Sequence, residues 1–167
     1  MASPFKAALL RHAAAAMIIS ATLSLVACAP QSNDAAVKDG LEKLRAALAS
    51  IDGVENARVG GGYDGSPNRR HLLVYLYLND LSAAAVTPIV EEALATAWKF
   101  DAFIPVGYSI QVWPAPIPSP PANADSMFDL TLIQPALGLT GGYVVNNQLF
   151  LTDRDLEAKF GAKNLPE

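Results

Sequence analysis

Cys28 is the side chain whose surroundings point most directly to a chemical event. It is the single cysteine of the 167 residues, and it follows the small residues Val26 and Ala27 at the end of an apolar run. A thiolate is the side chain most readily alkylated near neutral pH, so the chemistry expected at Cys28 is thioether formation with a lipid donor. Other reactive residue types are scattered. His71 is the one histidine after residue 28 and stands beside Arg69 and Arg70 at the start of an apolar run. That setting suits a strand-end or surface residue better than a general base. One histidine without a cysteine cluster makes no zinc site. No serine sits in a Gly-x-Ser-x-Gly elbow. Gly60-Gly61-Gly62 lacks the Gly-Lys-Ser/Thr ending of a phosphate loop, and it reads as a flexible hairpin loop. Asp64 stands without the ligand spacing of a calcium loop. Asp153, Asp155 and Glu157 fit the start of a helix, where the macrodipole favours negative charge. No catalytic residue, metal or cofactor is expected.

The flanks of Cys28 strengthen its reading. Lys6 and Arg11 precede Ala13–Val26, an apolar stretch shorter than the roughly 20 residues that span hydrocarbon. The polar Gln31-Ser32-Asn33-Asp34 follows. This is the layout of an export signal. Leu25-Val26-Ala27-Cys28 resembles the lipobox of bacterial lipoprotein precursors. The resemblance implies cleavage after Ala27, a diacylglyceryl group on Cys28, and anchorage on the outer face of a bacterial membrane. Two acyl chains hold far more firmly than one, at ~0.8 kcal/mol per buried methylene. Ala29 stands where an aspartate would retain a lipoprotein on the inner membrane, so outer-membrane sorting is open in a two-membrane host. The competing reading is an ordinary secretory cleavage near Ala27–Ala29, with Cys28 incidental.

Loss of residues 1–27 leaves 140 of the 167, enough for one ordinary domain. Lys6 and Arg11 leave with them, so ten basic side chains face sixteen acidic ones, a net −6. A mildly acidic balance argues against nucleic acid, which requires a clustered basic face. With Cys28 acylated, no thiol remains for a disulfide, and stability rests on packing.

The elements follow from periodicity. Val37, Leu41, Leu44, Leu48 and Ile51 recur at spacings of four and three, an amphipathic helix. Ser32, Asn33 or Asp34 can cap its start and Asp52-Gly53 its end; a short coiled-coil seam is the alternative. Val54–Gly60 reads as a weak strand. His71–Leu78 reads as an interior strand with both faces apolar, joined to the first by a long hairpin. Val86, Val90, Ala93, Leu94, Ala97 and Trp98 form the buried stripe of a second helix. Pro88 allows either a helix kinked at that point or a start at Thr87 as cap with proline in the first turn, and the later start is preferred. Val106, Tyr108, Ile110 and Val112 alternate as a third strand. Pro114–Pro121 is a stiff extended spacer, or a ligand for an aromatic groove on a partner. Phe128–Ile133 is a helical turn or a strand. Tyr143-Val144-Val145 and Gln148–Leu151 flank Asn146-Asn147 as a hairpin. Thr152 and Asp155 form a capping box for a closing helix that ends at Gly161.

The expected fold is therefore α+β: a small antiparallel or mixed sheet with helices on one face, in the order helix-strand-strand-helix-strand. A Pro-rich spacer, a hairpin and a short helix follow. In element order alone it is similar to ferredoxin-like and BON-type envelope modules. The expected divisions are 1–27 signal peptide, 28–34 lipidated tether, 35–113 α+β domain, 114–124 linker, and 125–167 hairpin-helix subdomain. Tyr75, Tyr77, Tyr108 and Trp113, with Trp98, are the candidate binding residues. The expected role is a non-enzymatic, lipid-anchored envelope module that contacts an envelope protein or wall component. A small solute- or lipid-binding lipoprotein is the alternative, and an envelope enzyme the third reading.

Overall fold

The computed structural model describes residues 31–63, 69–119 and 123–163, with the side chains of 31–34 left aside. Leu25–Cys28, Asp64 and the apolar run before Cys28 lie outside the described residues. Among those described, no helix is long and apolar enough to cross a membrane.

The chain runs α1 (Gln31–Ala49), β1 (Val54–Tyr63), β2 (Arg70–Leu78), α2 (Ala83–Trp98), β3 (Gly107–Pro114), β4 (Tyr143–Val145), β5 (Gln148–Leu151) and α3 (Asp153–Phe160). Short 3₁₀ turns at Ala124–Ser126, Leu130–Leu132 and Gln134–Leu137 fill the stretch between β3 and β4. The fold is α+β, with one five-stranded mixed sheet ordered β1-β2-β3-β5-β4. β1 and β2 form an antiparallel hairpin, β2 and β3 run parallel across the α2 crossover, and β5 lies antiparallel between β3 and β4.

The period of two assigns the faces. Leu72, Val74, Leu76 and Leu78 of β2 pair with Tyr108, Ile110, Val112 and Pro114 of β3 on the helix side. There Leu44, Leu48 and Ile51 meet Val86, Val90, Ala93, Leu94 and Ala97 in one core, which also takes in Leu130, Ile133, Leu137, Leu149, Leu151 and Leu156. Full burial of a side chain such as Leu48 contributes about 1.5–3 kcal/mol.

Four expectations are corrected. Gln31–Asp34 is the first turn of α1 rather than a tether or a cap; none of those residues is a glycine or proline that breaks a helix. Gly60-Gly61-Gly62 is strand, not loop, because neighbouring side chains supply the bulk that the glycines lack. Leu73 lies over Gly60 and Gly62 on one face, and Phe103 covers Gly61 on the other. α2 starts at Ala83 with Ser82 as N-cap, leaving Pro88 inside the helix. Ser82 accepts from the Ala85 amide at 3.3 Å, while the Thr87 hydroxyl donates to the Ala83 carbonyl at 2.6 Å instead of capping. Pro88 and Ala84 are both exposed, so the Ala84 carbonyl left without a helical partner faces water. Finally, the C-terminal hairpin is not held apart by the proline run: β5 pairs directly with β3, and its leucines enter the common core.

Other details follow the sequence closely. Asn146 and Asn147 adopt φ of 49° and 65°, the left-handed pair a two-residue hairpin turn requires. Thr152 and Asp155 form the capping box, and Gly161 ends α3 at φ 82°.

Candidate functional site

The two faces of the sheet are covered unequally. The helices take one. The other presents Tyr75 and Tyr77 from β2, Gln111 and Trp113 from β3, Gln148 and Phe150 from β5, and Tyr143 from β4. This follows from the register, in which Tyr75 faces Gln111, Tyr77 faces Trp113 and Tyr143 faces Phe150. Tyr75, Trp113 and Phe150 are half-exposed. Tyr143 is 61% exposed, a large aromatic ring left mostly in water.

Polar side chains cross this surface and hold Trp113. The Trp113 indole N–H donates to Gln111 Oε1 at 3.0 Å, and the Gln111 amide donates to Gln148 Oε1 at 2.8 Å. Tyr143 and Phe150 stack with centroids 5.3 Å apart and planes at 15°. The Arg58 guanidinium lies 5.8 Å from the Tyr77 ring centroid, within cation–π range. Tyr77 is buried, as is Met127 from the 3₁₀ segment, yet neither belongs to the main core. Ser109, also buried, completes the centre of the face. Rigid amphipathic rings fixed by amides suit recognition, since they present apolar area and hydrogen-bonding edges at low entropic cost.

Of the five candidate binding residues, Tyr75, Tyr77 and Trp113 thus share one face, and Trp98 lies on α2. Tyr108 points to the helix side, buried against Trp98 with ring centroids 6.0 Å apart. Tyr108 and Trp113 are five positions apart in one strand, so period two already sets them on opposite faces. Gln111, Gln148, Tyr143 and Phe150 escaped the sequence reading because their grouping depends on β5 slotting beside β3.

His71 is the second residue of β2 and half-buried; its imidazole occupies space above Gly107, where an added Cβ would meet Nδ1 at 2.7 Å. Asp155 is engaged in the capping box. Among the described residues no group of three or more His, Cys, Asp or Glu side chains is arranged to hold a metal ion. Cavities exist elsewhere. One of about 490 Å³ lies by the start of α2 near Asp52, Glu55 and Asp80. One of about 310 Å³ lies between α1 and the end of α2, and one of about 250 Å³ contains Trp98 and Tyr108. Asp80 is held below the usual carboxylate range by the Ser82 amide and hydroxyl, which accounts for its charge without a bound cation.

Comparison with protein-family models, with curated proteins and with solved structures finds no match to this chain.

Proposed function

We propose that this chain is an exported lipoprotein, anchored through diacylglyceryl-Cys28 on the outer face of a bacterial membrane. Its folded body is a non-enzymatic module that docks an envelope protein through the open sheet face. The observation that carries the docking role is the unequal covering of the sheet. One face is sealed by helices, while the other leaves Tyr75, Trp113, Tyr143 and Phe150 accessible, with Trp113 held by the Gln111 side chain and Tyr143 stacked on Phe150. Aromatic clusters of this kind are the usual anchors of protein contacts. The address rests on Leu25-Val26-Ala27-Cys28. A wall component is the weaker choice of partner, because aromatic clusters of this kind are the commoner anchors of protein contacts.

The two halves are tested separately. Intact mass of the native product should show cleavage before Cys28 and a diacylglyceryl adduct, and Cys28→Ser should leave the membrane fraction. A bare thiol, or unchanged membrane association of the serine variant, defeats the anchor. For docking, a photo-crosslinking residue at position 75 should capture a discrete envelope protein in living cells, whereas one at Glu92 on the exposed side of α2 should not. Equal capture from both positions, or none from position 75, defeats the assignment of the face.

A further inference from the structure

The open face carries a charge of one sign. The β1–β2 register sets Arg58 opposite Tyr75, on the same side of the sheet as Tyr77 and Trp113. Among the described strand residues of this face none is an Asp or Glu, although acids outnumber bases sixteen to ten after residue 27. Glu55, at the β1 bulge, lines the cavity beside α2 instead, where the Asn79 amide donates to it at 3.3 Å. The 3₁₀ segment bonded to the end of β3 brings Asp125 and Asp129, but these accept from Asn123 and Thr131 within their own turns.

Arg58 is exposed and makes no ion pair among the described residues. Lys43, Arg45 and Lys159, by contrast, hold the carboxylates of Asp39, Glu42 and Glu91 at 2.7–2.9 Å. What Arg58 does contact is the Tyr77 ring, 5.8 Å from its centroid, and that ring is only 6% exposed. A ring face attracts a guanidinium but accepts none of the ordinary hydrogen bonds its five N–H groups can donate. The cation is therefore placed on a buried aromatic ring with its donors unspent. Arginine beside tyrosine and tryptophan is also the composition of the residues that dominate protein contacts.

Resting on the docking role proposed for this face, we infer that the partner protein presents an Asp or Glu carboxylate to Arg58, next to apolar side chains that cover Tyr75 and Trp113. The strip from β1 to β4 crosses four strand spacings, about 19 Å, and the partner's acidic residue lies at its β1 end. A second copy docked face to face would bring no strand carboxylate to Arg58. A neutral glycan would also leave the guanidinium unmatched, and desolvating an unmatched charge is costly.

The test combines the photo-crosslinking residue at position 75 with Arg58→Lys, Arg58→Gln and Arg58→Glu in living cells. Lysine keeps the charge, while glutamine and glutamate share a size and differ in charge. The adduct should stay within about threefold in Arg58→Lys and fall about tenfold or more in Arg58→Glu, with Arg58→Gln between them. In the Arg58→Lys variant a zero-length carbodiimide should join the introduced amine to an Asp or Glu of the same captured protein. No adduct from position 75 with Arg58 in place, or an adduct with the mass of two copies of this chain, defeats the docking role and the carboxylate contact together. With a discrete partner captured, indifference to Arg58→Glu, equal loss in all three variants, or no carbodiimide coupling overturns the carboxylate contact alone.

Discussion

Trp113 is pinned by Gln111, two residues before it on the same strand face, through an indole N–H to Oε1 hydrogen bond of 3.0 Å. Gln111 in turn donates to Gln148 on β5 at 2.8 Å, so one glutamine couples the tryptophan to the C-terminal hairpin. Gln111→Leu keeps the bulk and removes both bonds. The expected loss is about 1–2 kcal/mol, from two part-exposed hydrogen bonds each worth about 0.5–1.5 kcal/mol. Urea unfolding measures it, and Trp113 emission should report a less restricted ring before unfolding begins.

Two glycines should respond in opposite directions to alanine. Gly60 lies within β1 at an ordinary φ, and an added Cβ would make normal contacts of 3.8 and 3.9 Å with Leu73. Gly60→Ala should therefore stabilise by about 0.4–1 kcal/mol, chiefly by restricting the unfolded chain. Gly142 has φ 89°, and its Cβ would run into the Leu151 side chain and come within 3.0 Å of the Phe150 carbonyl. Gly142→Ala should cost about 1–3 kcal/mol from backbone strain alone. Paired thermal melts of the two variants decide the signs.

Periodic signals were the legible part of this chain. The Leu44, Leu48 and Ile51 stripe, the alternation of Leu72 to Leu78, the Asn146-Asn147 turn and the Thr152–Asp155 box each depend on neighbours within a few positions. What was hidden depends on partners far along the chain. Gly60-Gly61-Gly62 reads as loop until Leu73 and Phe103 are seen filling the empty side-chain positions. The hairpin reads as a separate unit until Leu149 and Leu151 are seen beside β3. Nothing local marks Arg58. Its placement over Tyr77 comes from the pairing of β1 with β2.

Alkaline pH should expose Tyr108. Its pKa stands at 10.0 in the ordinary case and about 12 in the folded protein, because burial and then Asp153 disfavour the phenolate. The folded state therefore holds a proton that the unfolded state releases between these values. Stability from this group is fully present below pH 10 and falls as pH rises from 10 to 12. Tyr108→Phe removes the titrating group, so its unfolding free energy should decline less steeply across that window. Denaturant melts at several alkaline pH values compare the two slopes.

Pro88 offers a test of why α2 tolerates proline in its second turn. Proline in a helix interior costs about 3 kcal/mol through its missing donor and the clash with the carbonyl four residues earlier. At Pro88 part of that cost is offset, because the exposed Ala84 carbonyl is served by water and proline restricts the unfolded chain by about 0.4–1 kcal/mol. Pro88→Ala restores the donor and should stabilise by about 1–2 kcal/mol, read by thermal melting and by slower amide exchange across α2. Thr87→Val should be far milder than loss of a helix cap, since its hydroxyl only adds a bond to the Ala83 carbonyl. Ser82→Ala should cost about 1 kcal/mol as the true cap. If Thr87→Val proved the more damaging of the two, the helix would begin at Thr87 and the cap at Ser82 would be ruled out.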